Sequence, residues 1–210
     1  MSNVRVAAIA SLGILLGGQT AVAESPFQYR QYALESSVAS VLKISGTRAA
    51  DAKTLHLRPA NIQELVWGAP YVSTGTRAPD PVRDVLFSFY DDQLYRVVVT
   101  YDRDRLEGLT NDDLIEGLSA TYGVPLLRHA PAARGDASHG ADLSGETTIV
   151  AQWEDPASTL TLTRNNYTAE YRLVLISKTL DPRARAAIKE ALRLDTKEAP
   201  QRELDQRKKD

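Results

Sequence analysis

Three histidines, no cysteine and a scatter of carboxylates set the chemistry open to this chain. His56 stands two residues before Arg58. On a strand that spacing puts both side chains on one side, and an imidazole beside a guanidinium is a recognition pair for carboxylates and other anions. The same pair is also what a solvated strand face looks like. His129 and His139 fall in a stretch rich in Gly, Pro and Ser, where a catalytic group cannot be held to the geometry that catalysis needs. The strongest acid–base trio, His56, Glu64 and Asp102, comes from separated segments with no motif spacing. H-x-x-x-H, G-x-S-x-G, a Gly-rich phosphate loop and S-x-x-K do not occur. From Asp102 an EF-hand loop would need an oxygen ligand at its fifth position and Gly at its sixth, where Leu106 and Glu107 stand beside two arginines. The absence of cysteine excludes disulfides, thiolate zinc sites and thiol catalysis. The residues therefore point to binding rather than catalysis, with no catalytic residue, no metal and no cofactor expected. Two short matches, Arg134-Gly135-Asp136 and the glycosylation-type Asn166-Tyr167-Thr168, carry little weight at three residues each.

The elements that must position His56 and Arg58 follow from period and punctuation. Tyr29–Leu34 reads as a first strand. Ser36 and Ser37 offer caps for a short helix with Val38, Val41 and Leu42 on one face and Gly46 as its stop. Leu55 and Leu57 alternate with His56 and Arg58, which predicts a strand with the leucines inward and the His–Arg pair outward. Ile62–Trp67 is a further strand, and residues 68–81 form a loop. The strongest β signal is Val85–Tyr90 and Leu94–Tyr101 around the Asp91-Asp92-Gln93 turn, a hairpin with Tyr95, Val97, Val99 and Tyr101 on its core side. Thr110 with Asp113 opens a helix carrying Ile115, Leu118 and Tyr122 to Gly123. Strands follow at 147–153, 159–163 and 171–177, and Asp181-Pro182 starts a last helix bearing Ala184, Ile188, Ala191 and Leu192.

The predicted organisation is a signal peptide at 1–23, a first αβ module at 24–128, a mobile loop or linker at 129–146, a second αβ part with a C-terminal helix at 147–194 and a charged, disordered tail at 195–210. The signal rests on Arg5, the apolar run Val6–Leu16 and the small-x-small site Ala21-Val22-Ala23. It predicts a cleaved protein, periplasmic or secreted, with no membrane span left after cleavage. A net charge of −2 offers no excess of positive charge for phosphates, so nucleic acid is not an expected partner. The fold class is α+β: antiparallel sheet with helices packed on one face. The halves run alike, with Leu94-Tyr95-Arg96-Val97-Val98 set against Glu170-Tyr171-Arg172-Leu173-Val174 and Trp67 against Trp153. That is either two tandem αβββ modules or a chance likeness.

His56-x-Arg58-Pro59-Ala60-x-Ile62-Gln63-Glu64-x-x-Trp67, with Phe89-Tyr90 and the Tyr101-Asp102 turn, resembles a family of exported bacterial proteins without an assigned activity. The resemblance covers residues 29–123 and implies no catalytic residues. More loosely, helix followed by antiparallel sheet in two copies resembles the modules of secreted β-lactamase-inhibitor proteins and of small outer-membrane-assembly lipoproteins. This chain lacks the lipid-bearing Cys of the latter. The functional expectation is an exported, non-catalytic binding protein. The alternatives are a small-ligand carrier or a periplasmic hydrolase. If the strand of His56 and the hairpin are neighbours, His56, Arg58, Tyr90 and Arg96 share one exposed patch, with Trp67 either flanking it or in the core. Trp, Tyr and Arg favour interfaces, so the expected partner is an envelope protein or an acidic ligand.

Overall fold

The computed structural model describes residues 27–68, 80–131 and 147–207. Its centre is an eight-stranded antiparallel sheet, with a two-stranded ribbon beside it. The ribbon, β1 (Gln28–Tyr29) and β2 (Tyr32–Ala33), stands where one strand was expected. Next come α1 (Val38–Ser45), β3 (Lys53–His56), β4 (Ile62–Gly68), β5 (Val82–Tyr90), β6 (Gln93–Tyr101) and α2 (Asn111–Tyr122). The chain closes with β7 (Leu127–Pro131), β8 (Thr147–Glu154), β9 (Ser158–Asn165), β10 (Tyr171–Ser177) and α3 (Leu180–Arg207).

Local chemistry fixes these elements as the sequence suggests. Ser37 accepts from the Ser40 amide, and Gly46 closes α1 in the left-handed region. The Thr110 hydroxyl and the Asp113 carboxylate form a reciprocal capping box at α2. Asp91 and Asp92 both take positive φ, as a tight hairpin turn between twisted strands demands, and Asp92 also accepts from the Val38 amide at the start of α1.

The sheet order is β3-β4-β5-β6-β10-β9-β8-β7. Two four-stranded meanders, each preceded by a helix, meet edge to edge at β6 and β10. Each unit has one strand more than an αβββ module: β3, itself expected, in the first and β7, not expected, in the second. Val98 pairs with Val174, flanked by Arg96 with Ile176 and Thr100 with Arg172. The spacing from 98 to 174 also separates Tyr95 from Tyr171 and Arg96 from Arg172, so this register is that of a two-fold axis through the Val98–Val174 pair.

Both faces of the sheet are used. The main core joins Leu65, Phe87, Val97, Val99, Trp153, Leu162 and Leu173 to Val41 of α1 and Ile115 of α2. A smaller cluster joins Ala60, Ile62 and Tyr95 to Leu180, Ala184, Ala187 and Ile188 of α3. Ile62 and Leu65 have opposite parity on β4, so the expectation that all helices share one face holds for α1 and α2 only, and α3 lies on the other side.

Four further expectations are corrected. Tyr95 faces α3 rather than the main core, because β6 carries an extra residue there: Phe89 pairs with Leu94 and Ser88 with Arg96. Leu55 and Leu57 do not reach the core and are 37% and 75% exposed, since β3 is the sheet's edge. Residues 127–131, taken partly as loop, form edge strand β7 on β8, with Pro131 at the strand's end, where an edge tolerates it. The tail from 195 is helical to Arg207, and its charged residues are good helix formers. The 1–23 signal, Arg134-Gly135-Asp136, His139 and most of the 129–146 loop lie outside the described residues.

Candidate functional site

The four side chains singled out from the sequence lie on one face of the sheet, and that face carries α3. The helix starts beside the end of β10 and packs over Tyr95 on β6, Tyr90 on β5 and Ile62 on β4 before reaching β3. His56 ends β3 with its side chain 18% exposed and its Nδ1 4.0 Å from Asp195 Oδ2. Arg58, just past the strand, donates from Nη2 to Glu198 Oε2 at 2.9 Å. Tyr90 is half-buried beneath the Arg183 guanidinium, 5.8 Å from the ring centroid. Arg96 is 9% exposed and lies among Tyr95, Glu64, Asp181 and Arg185. The patch is therefore only in part open to solvent, against expectation. Its Arg58 end is exposed and its Arg96 end is buried.

Burial dominates the electrostatics at the Arg96 end. It lowers the Arg96 pKa, against the pull of Tyr95, Asp181 and Glu64. It raises the Glu64 carboxyl, opposed by Arg96, Lys53 and a hydrogen bond from Ser88. It pushes the Tyr95 hydroxyl up to about 12. Asp181, buried in the first turn of α3, accepts from Arg185 Nε at 2.7 Å through Oδ2, while Oδ1 has no partner among the described residues. A helix that docks through alanines and a charged network gains less from burial than one docked through leucines.

A groove of about 340 Å³ opens between β3 and α3, lined by Thr54–Arg58 on one side and Ala191, Leu194 and Asp195 on the other. Leu55 and Leu57 stand exposed at this edge, and Leu192 of α3 is 55% exposed. The arrangement presents apolar surface beside one guanidinium and one imidazole, which suits an amphipathic, carboxylate-bearing ligand.

Trp67 does not flank this site. It packs against the main core on the opposite face, where with Tyr29, Arg30 and Tyr32 it lines a smaller cavity of about 130 Å³. The trio His56, Glu64 and Asp102 is not assembled. His56 pairs with Ile62 at the end of the sheet that holds the Asp91 turn, whereas Asp102 follows β6 at the opposite end and caps a single helical turn. His129 lies on β7, away from His56. Among the described residues no three His, Cys, Asp or Glu side chains come together to hold a metal, and no helix is long and apolar enough to cross a membrane.

Sequence reasoning missed the helix side of the site: Asp181, Arg183, Asp195 and Glu198. The usable signal was the three-residue step from Asp195 to Glu198, which a helix places on one face. Comparison with known proteins adds nothing to this geometry, since no family model, curated protein or solved structure matches the chain.

Proposed function

We propose that this chain is an exported interaction protein that binds a carboxylate-bearing envelope partner at the β3–α3 edge of its sheet. Export rests on the Arg5, Val6–Leu16 and Ala21-Val22-Ala23 pattern. Binding rests on one observation: Arg58 already holds the Glu198 carboxylate at 2.9 Å and His56 stands 4.0 Å from that of Asp195, beside exposed leucines. An exposed pair of that kind contributes little to stability, and its groups exchange partners readily. Leucines at an edge give a partner apolar area to cover. The groove of about 340 Å³ also suits a small amphipathic carboxylate, which keeps the carrier reading as the alternative.

The test is capture from envelope extract with the mature protein and its Arg58→Glu variant, side by side with native mass analysis. Components held by the wild type and lost in Arg58→Glu, with Tm unchanged, support the reading. Identical capture by both proteins refutes it. A retained small carboxylate in the mass spectrum selects the carrier alternative.

A further inference from the structure

We propose that the partner recognised at this edge is a helix presenting two carboxylates three residues apart, which takes His56 and Arg58 over from the last turns of α3. The inference rests on the binding reading above and names the class of partner. The packing of α3 changes character at Ala191. Up to that residue Leu180, Ala184, Ala187, Ile188 and Ala191 are buried. Beyond it Leu192, Arg193, Asp195, Thr196 and Lys197 are exposed, and Leu194 and Glu198 half-buried. Asp195 and Glu198 then reach the sheet at His56 and Arg58. The exposed Arg58–Glu198 pair competes with solvent and salt.

The helix is also weak at this point. The Thr196 hydroxyl donates to the Leu192 carbonyl at 2.9 Å, a back-bond that bends helices. Pro200 brings no amide N–H to the ladder. The last turns of α3 are thus a low-stability unit on a well-anchored stem.

The recognition code is set by spacing. His56 and Arg58 are two residues apart in a chain leaving a strand, about 6–7 Å. Asp195 and Glu198 are three apart on a helix, where side chains stand about 5–6 Å from each other. A partner helix with the same step reaches both side chains. If its neighbouring positions are apolar, it also covers Leu55 and Leu57, which α3 leaves exposed. Complementary charge selects the ligand, and apolar cover adds affinity that the chain's own helix does not supply.

The experiment uses the full mature chain, the same chain carrying Asp195→Asn and Glu198→Gln, and that double variant with Arg58→Glu added. The probe is a fluorescein-labelled, stapled helical peptide of residues 191–199, with a control in which Asp195 and Glu198 are amidated to Asn and Gln. The double variant should bind the carboxylate-bearing peptide about fivefold more tightly than the wild type, the factor one exposed ion pair at Arg58 supplies at the upper end of its ordinary range. The control peptide should not show this gain, Arg58→Glu should abolish it, and raised salt should weaken it. Hydrogen exchange should show loss of protection over 192–199 with 180–191 unchanged, which also reports that the fold is intact. Equal binding of the carboxylate-bearing and control peptides, or no gain in the double variant, overturns helix recognition. If Arg58-dependent envelope capture persists in that case, the surface stands and only the partner class fails; if capture fails too, both readings fail.

Discussion

Removing the Asp155 carboxylate should loosen the whole N-terminal edge of the protein. Asp155 sits in the turn between β8 and β9. Its Oδ1 accepts from the Ala157 amide at 2.7 Å and the Ser158 amide at 2.6 Å, and its Oδ2 from the Ser158 hydroxyl at 2.7 Å. Oδ2 also accepts from the Phe27 amide at 2.6 Å, across most of the chain. Phe27 in turn packs edge-on against Tyr122, whose ring adjoins Trp153. At the secluded value of about 1.5–3 kcal/mol for each bond to a charged acceptor, four bonds would rival the stability of an entire domain. The turn borders solvent, however, and water satisfies much of what the carboxylate releases, so Asp155→Ala should cost about 3 kcal/mol. Asp155→Asn should cost about 2 kcal/mol, because an amide keeps one acceptor for the turn but turns donors toward the Phe27 amide.

The pH dependence gives the sharper check. Burial alone would raise the Asp155 carboxyl, but the hydrogen bonds from Ser158, Phe27 and Ala157 outweigh it and hold the pKa below the ordinary Asp value. A depressed folded pKa means stability that is complete above the unfolded value, near 3.9 for Asp, and lost as pH falls through the folded one. Urea unfolding followed by tryptophan fluorescence should therefore show a gap between wild type and Asp155→Ala that is full at pH 7 and shrinks below about pH 4. A gap under about 0.5 kcal/mol at pH 7, the level of an inert surface change, would refute the reasoning, as would a gap that stays constant into acid.

Two further outcomes follow from the same structure. Arg96→Met should cost about 3 kcal/mol because it takes a buried counter-charge from Glu64, leaving it the weaker pull of Lys53, and from Asp181, leaving it Arg185, and adding Glu64→Gln should return at least about 1 kcal/mol in a double-mutant cycle. Additive losses would show that the two side chains do not sense each other. Thr110→Ala removes one arm of the α2 capping box and should cost about 1 kcal/mol, a fall in Tm of about 2–4 °C, read by calorimetry.

The sequence made some of this fold legible and hid the rest for identifiable reasons. Hairpin and caps were readable because each is decided within a few residues: β-branched runs around Asp91-Asp92, and Thr110 answering Asp113. The leucines of β3 misled because alternation tells which residues share a side but not whether a core lies there, and at the sheet's edge it does not. The tail misled because charge density is shared by disordered chains and by exposed helices, and sequence alone gives no sign that Asp195 and Glu198 come to stand at His56 and Arg58. The candidate site was half legible. Its strand side followed from parity, while its helix side depended on where α3 docks.

That docking turns on one inserted residue. Tyr95 and Tyr171 occupy equivalent places in the two meanders, each followed by an arginine. On β10 the register runs unbroken, so Tyr171 faces the main core and donates its hydroxyl to Asn111 Oδ1 at 2.6 Å at the start of α2. On β6 the extra residue between the Leu94 and Arg96 pairings swings Tyr95 to the other face, beside Arg96 and under α3. Tyrosine and arginine side by side give that half of the sheet both apolar area and charge, and Leu180, Ala184 and Asp181 of α3 meet them. In the other half, Arg172 keeps company with Glu170 on its own strand approach, and no described helix covers it. The bulge thus breaks the near-symmetry of the sheet. It makes one of two equivalent halves of that face the dock for α3, and the far end of that dock, at His56 and Arg58, is the surface proposed here for a partner.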